Sequence, residues 1–264
     1  MEIAIYQVDA FASQVFSGNP AAVCPLSEWL EDGLLQSIAE ANNLSETAFF
    51  VFKQNFVELR WFTPNSEVDL CGHATLAAAH VLFQHLNYCK QAIHFQTRSG
   101  ELVVEKNGDA YALNFPASMP TLTAPPPALL EGLGVAPKAV YCAFDYIVEL
   151  EDEASVKSLE PNLMAWKQLD KRGVVVTAPG LCVDFVSRCF FPRLDVDEDP
   201  VTGSAHCELA PLWSNLLEKK TLQAKQCSKR GGEMTCIVEG ERVTLIGHAV
   251  DYMKGTITLD STCR

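Results

Sequence analysis

Apolar and polar positions alternate in EIAIYQV (residues 2–8), the period of a half-buried strand. FASQVFSGNPAAV (11–23) breaks the pattern with Gly and Pro and reads as a loop. In SEWLEDGLLQSIAEANN (27–43) the spacing widens to that of an amphipathic helix, with Ser27 as its cap and acids in the first turn. An apolar β-prone run, Ala48–Phe52, predicts a strand, as does VELRWF (57–62), which a turn-like TPNSEVD follows. CGHATLAAAHVLFQHL (71–86) is apolar almost all round, which predicts a helix buried on every side. ELVVEKNGDAYALNF (101–115) predicts two strands about an Asn107-Gly108 turn.

After Phe115 the texture changes. PASMPTLTAPPPA (116–128) is rich in proline and small polar residues and reads as a linker between an N-terminal domain, 1–117, and a C-terminal one, 118–264. The last strand is a candidate to return to the N-terminal lobe. In the second half VVVTA and VDFVSRCFF predict strands, an apolar helix spans about Ser204–Leu217, and TCIVEG, RVTLIG and GTITLD alternate as strands.

The halves repeat. Arg60-Trp-Phe-Thr-Pro64 answers Arg188-Cys-Phe-Phe-Pro192, acids follow each, and then come Cys71-Gly72-His73-Ala74 and Thr202-Gly203-Ser204-Ala205, each opening an apolar helix. The ordered series predicts an α+β fold of two similar lobes, each of mostly antiparallel strands around one buried helix. A helix start carries free N–H groups and partial positive charge, so two such starts facing one cleft suit a small carboxylate or an enolate.

One position resists the pattern. In NNLSETAFFVF, Glu46 places a charge where a strand enters a core. A strand-end carboxylate is ordinarily solvated, which leaves open what this one does.

Charge narrows the partners. With 33 Asp and Glu against 20 Lys and Arg, the formal charge is −13. Such a surface repels phosphate backbones, which argues against a nucleic-acid partner. The first residues show no basic segment ahead of an apolar one, and no apolar run nears the roughly 18 residues of a membrane span, so a cytoplasmic protein with no membrane partner is expected. Ten cysteines include no C-x-x-C pair and no zinc-like Cys/His spacing, so no metal is expected and most thiols are expected as small buried hydrophobes. No P-loop and no G-x-G-x-x-G after a strand is visible.

Asp9-Ala-Phe11, Phe16-Ser-Gly-Asn-Pro-Ala-Ala-Val23, Ser45-Glu-Thr-Ala-Phe49, Arg60-Trp-Phe-Thr-Pro64, Cys71-Gly-His-Ala-Thr75, Glu198-Asp-Pro-Val-Thr-Gly-Ser-Ala205 and Gln226-Cys-Ser-Lys-Arg-Gly-Gly232 occur in this order. With them the chain resembles, nearly end to end, the PhzF (phenazine biosynthesis protein F-like) family of the diaminopimelate epimerase superfamily. The resemblance implies two lobes, each a strand barrel around a central helix, a homodimer, and cofactor-free isomerisation of a small carboxylic acid by proton transfer between the lobes. Matched residue by residue, the family's catalytic glutamate falls on Glu46, its histidine on His73, its aspartate on Asp199 and its serine on Ser204. Gly72, His73, Gly203 and Ser204 are then the substrate-binding positions.

Each residue also has a plainer reading: His73 as a hydrogen-bonded helix-start histidine, Asp199 as an acid favourable with a helix dipole, and Ser204 as a helix-start hydroxyl. Related epimerases pair two thiols at the helix starts; here Cys71 holds one place and Thr202 the other, and an unassisted alcohol is too weak an acid to replace a thiolate. An epimerase or dehydratase acting alpha to a carboxylate, and a non-catalytic binding or adaptor protein on the same fold, remain as alternatives.

Overall fold

The computed structural model describes residues 1–260. The chain divides into two compact units. One is Met1–Asn114 together with the segment from Ile246 onward; the other is Phe115–Leu245. The C-terminal segment therefore groups with the N-terminal unit, and the second unit begins a few residues ahead of 118.

In the first unit the elements run β1 (Glu2–Ala10), β2 (Asn19–Leu26), α1 (Asp32–Asn42), β3 (Glu46–Phe52), β4 (Val57–Phe62), β5 (Glu67–Val68), α2 (Gly72–His85), β6 (Ala92–Thr97), β7 (Gly100–Asn107) and β8 (Ala110–Pro116). The second unit continues with β9 (Thr121–Leu122), α3 (Pro127–Leu133), β10 (Ala139–Cys142), β11 (Tyr146–Glu149), α4 (Glu153–Ser158), α5 (Leu163–Trp166), β12 (Val174–Pro179), β13 (Phe185–Phe191), β14 (Val196–Asp199), α6 (Gly203–Leu217), β15 (Thr221–Gln226), β16 (Gly232–Glu239) and β17 (Arg242–Gly247). The chain leaves the first unit within β8 and re-enters it within β17, before β18 (Ala249–Thr258).

The units are mixed sheets built on one plan. In the first, β18, β1 and β2 are antiparallel, β2 and β3 parallel, β3 and β4 antiparallel, β4 and β6 parallel, and β6, β7 and β8 antiparallel. In the second, β9, β10 and β11 are antiparallel, β11 and β12 parallel, β12 and β13 antiparallel, β13 and β15 parallel, and β15 and β16 antiparallel. A parallel pair needs a crossover, and helices provide it: α1 and α2 in one unit, α4 with α5 and then α6 in the other. The repeated Arg-x-Phe-x-Pro lies on β4 and β13. Arg60 grips Glu67 of β5 through two nitrogens at 2.7 Å, and Arg188 grips Glu198 of β14 at 2.7 and 3.0 Å. The repeat is thus an arginine clamp that fastens the short strand leading to each buried helix.

Side-chain alternation sorts the faces. Cys24, Phe49 and Val51 pack with Leu35 and Ile38 of α1. The residues between them on β2 and β3 face the other way, where α2 packs against β1, β2 and β3. In the second unit Val174, Val176, Val186 and Phe190 pack with Leu129, Val156 and Trp166 of α3–α5. The opposite face holds α6, whose Trp213 donates to Thr177 Oγ1 at 2.9 Å and stacks on Phe185. Pro211 interrupts the hydrogen bonding of α6, and Ser118 N–H supplies the bond that the Cys207 carbonyl would otherwise lack.

Three expectations change. The helix starts at Asp32 rather than at Ser27, because Trp29 is drawn off by a 2.7 Å bond to Glu58 and joins Leu30 in packing on the core. The last five residues of the expected loop, 19–23, open a central strand, β2, despite Pro20 and Pro25; the β1 ladder on β2 ends at Val23, so Pro25 lies beyond it. The stretch 116–128 is not structureless: Ala117 and Ser118 donate to Glu241 and Cys207, and β9 and the start of α3 lie within it. The Asn107-Gly108 hairpin stands as expected, with Gly108 at φ 61. No helix among the described residues is long and apolar enough to cross a membrane.

Candidate active site

Glu46 is the first residue of β3 and shares a face with Ala48 and Phe50, the face that meets α2. Parallel pairing sets it opposite Ala21, so Asn19, two residues earlier on β2, lies on the same face. The chain reaches this point through Asn43, in the left-handed region at φ 49, and Asn42 Nδ2 holds Thr47 Oγ1 at 3.1 Å. Gly18 is required just ahead of Asn19: its φ is +68, and a Cβ there would lie 2.2 Å from the Ala10 carbonyl oxygen.

α2 brings the other groups. Cys71 is its extended N-cap, and Gly72 and His73 are its first residues. Their N–H groups belong to the unpaired first turn at the positive end of the helix. His73 is buried at 5 % exposure. Its Nδ1 lies 3.2 Å from Asn19 Nδ2 and 3.6 Å from Cys71 Sγ, and its Nε2 lies 2.9 Å from Glu46 Oε2. Nε2 is the ring nitrogen that faces the carboxylate, and Nδ1 the one that faces Asn19 and Cys71.

That 2.9 Å approach is not an aligned hydrogen bond. Glu46 Oε2 and His73 Nε2 are both buried, and neither has a hydrogen-bond partner among the described residues. The two atoms form a close ion pair with poor hydrogen-bond alignment, which leaves their donor and acceptor capacity incompletely used. Burial disfavours the charge on His73, but the Cys71 and Glu46 neighbours outweigh it and hold the imidazole well above its usual range. The Cys71 thiol is pushed up to about 11 by burial and then by the Glu46 charge, so at neutral pH it is an uncharged S–H. The charge that retains the His73 proton there is therefore that of Glu46. Glu46, Cys71 and His73 also offer ligand atoms within 4.8 Å of one another, a set that could hold a metal ion.

The second helix start is knit differently. Thr202 N–H donates to Gln226 Oε1 at 2.8 Å, Gln226 Nε2 donates to the Asp199 carbonyl at 2.7 Å, and the Thr202 hydroxyl donates to the Asp199 carboxylate. His206 Nδ1 donates to the Thr202 carbonyl at 2.8 Å, and burial lowers its pKa to about 4, so it is neutral at pH 7. Gly203 is buried and Ser204 half-buried at the first two helical positions.

Glu46, Gly72 and His73 thus come together in the first unit, and Asp199, Gly203 and Ser204 in the second. Sequence reasoning did not single out Asn19 or Gln226. Their only signal was membership in the Gly18-Asn19-Pro20 and Gln226-Cys227-Ser228 stretches, since neither amide shows its partner without the fold.

The family model for "Phenazine biosynthesis-like protein" matches residues 8–255. The chain belongs to this family. An "uncharacterized isomerase" of Pseudomonas aeruginosa is 53 % identical over 98 % of this chain and all of its own length. The crystal structure of a PhzF-family phenazine biosynthesis protein from Enterococcus faecalis superposes with a TM-score of 0.96 at 47 % identity, covering 98 % of this chain and all of that one. A hydroxyproline epimerase from Agrobacterium vitis shares the fold at 10 % identity, with a TM-score of 0.64 and 98 % and 93 % coverage. The phenazine biosynthesis-like chain described here is accordingly an isomerase-type enzyme of α+β fold.

Proposed function

We propose that this isomerase moves a proton on a small carboxylic acid, with Glu46 as the proton shuttle and no cofactor. The supporting observation is the Glu46–His73 pair: two buried polar atoms 2.9 Å apart, out of hydrogen-bond alignment and without other partners. Glu46 takes a proton from one carbon and returns it to another. His73 keeps its Nε2 proton beside the carboxylate and offers a donor to the oxygen where enolate charge develops. The first-turn N–H groups of Gly72 and His73 add positive potential there.

Asp199 and Ser204 serve the same reaction in this reading, Asp199 by orienting substrate and Ser204 by binding its oxygens with hydroxyl and N–H. The substrate carboxylate is bound through Gly72, His73, Gly203 and Ser204. The enzyme works as a homodimer. Thr202 is no second base, because its hydroxyl is already committed to Asp199.

The test is a screen of small mono- and dicarboxylic acids for deuterium incorporation in heavy water. The wild-type enzyme should exchange at least one of them, and Glu46→Gln should not. Exchange that persists in Glu46→Gln on the same acid overturns the reading.

A further inference from the structure

We propose that the first unit carries a second site, a two-histidine, one-carboxylate centre formed by His80, His85 and Asp251, that binds a first-row divalent metal ion of the zinc type. His80 Nε2 lies 3.1 Å from Asp251 Oδ1, and His85 Nε2 lies 3.0 Å from both Asp251 oxygens. One ligand atom from each residue lies within 4.8 Å of the others. Around a tetrahedral zinc, nitrogen and oxygen ligands stand about 3.3 Å apart, so small side-chain adjustments admit the ion.

Two departures from regular structure create this meeting. His80 and His85 are five apart on α2, a spacing that a regular α-helix turns to different faces. The last turn of α2 is wider, because Leu86 N–H bonds the Val81 carbonyl five residues back, and widening swings the residue at i+5 toward the residue at i. On β18 the register with β1 jumps from Gln7↔Met253 to Val8↔Asp251, so Tyr252 is an extra, bulged residue beside Asp251. A bulge re-aims the side chains next to it. Both irregularities converge on one carboxylate.

The surroundings match what a metal site needs. A metal on Nε2 of His80 requires the proton on Nδ1, and the Tyr111 hydroxyl lies 3.0 Å from Nδ1 as its acceptor; Gln84 Nε2 in turn donates to that hydroxyl at 3.3 Å. Such outer hydrogen bonds fix the ligand tautomer. Tyr6 stacks on the His85 ring at 4.7 Å and holds its plane. Asp251 is 46 % exposed, which leaves an entry path and a coordination position for water. Histidine nitrogens with one carboxylate suit zinc, cobalt or nickel better than calcium or magnesium. None of these groups takes part in the proposed proton transfer.

The experiment is calorimetric titration of zinc into the chelator-stripped full-length chain at neutral pH, beside four variants. Wild-type protein should bind zinc saturably, and Cys71→Ser should bind it equally, which separates this site from Glu46, Cys71 and His73. His85→Ala and Asp251→Asn should each weaken binding by about 100-fold or more, and Tyr111→Phe by about tenfold. Asp251 lies on a half-exposed strand position, so Asp251→Asn decides the matter should His85→Ala fail to fold. Absence of saturable zinc binding in the wild type, or binding lost in Cys71→Ser and kept in Asp251→Asn, overturns the proposal.

Discussion

The two helix starts occupy matching places in two units of one plan, yet only one holds a carboxylate–imidazole pair. In the first unit β3 sets Ala48 opposite Trp61, and in the second β12 sets Val175 opposite Cys189. Counting two residues back along each strand, Glu46 corresponds to Gly173. A Cβ on Gly173 would lie 2.2 Å from the Phe191 ring and 2.4 Å from the Phe190 carbonyl oxygen, so no side chain fits there. The second start instead closes on itself through Thr202, Asp199 and Gln226. Duplicated architecture thus fixes where a site lies, while packing at single positions decides which copy carries the base.

The clamps give the largest test of this comparison. Arg188 also donates to the Val156, Lys157 and Leu159 carbonyls, and Glu198 has no second cation among the described residues. Glu67, by contrast, keeps Arg98 at 2.7 Å if Arg60 is lost. Arg188→Met should therefore cost about 3 kcal/mol and Arg60→Met clearly less, read from denaturant midpoints. Equal losses would mean that the clamps are energetically the same. Gly173→Ala comes next: the clash predicts a loss of about 1–3 kcal/mol, and an unchanged midpoint would remove the packing argument for the missing second carboxylate.

A pH-dependent effect belongs to the second unit alone. Burial, then the neighbouring Asp145, raise Glu208 to about 8 from an ordinary 4.5. The folded chain then holds a proton that the unfolded chain releases above about pH 4.5. Stability due to this group should accordingly fall as pH rises from about 4.5 to 8. Thermal melts of Glu208→Gln should lose that slope, and melts with the wild-type slope intact would place the titration elsewhere.

Much of this organisation was legible in the sequence, because it rests on local signals. The buried helices announced themselves through unbroken apolar runs, the hairpin through Asn107-Gly108, and the repeat through its arginine and proline. The helix start at Asp32 was not legible, since it depends on Trp29 reaching Glu58 across the unit. Nor was β2, whose prolines read as a break until the ladder on each side is known. In the site, Glu46 stood out as a charge at a strand entrance, while Asn19 became visible only through the register of β2 and β3. His80, His85 and Asp251 carry no recognisable spacing, because a bulge and a widened turn bring them together.

The central claim is that the carboxylate of the first unit, not its thiol, moves the proton. The most direct measurement compares deuterium exchange by Glu46→Gln and Cys71→Ala with that of the wild type, on an acid that the wild-type enzyme exchanges, after both variants are shown to be folded. Glu46→Gln removes the base with little change of shape and should slow exchange by at least about 10²-fold. Cys71→Ala removes an uncharged, buried thiol and should slow it by about tenfold or less. If Cys71→Ala abolishes exchange while Glu46→Gln retains most of it, the shuttle is the thiol and the account is wrong.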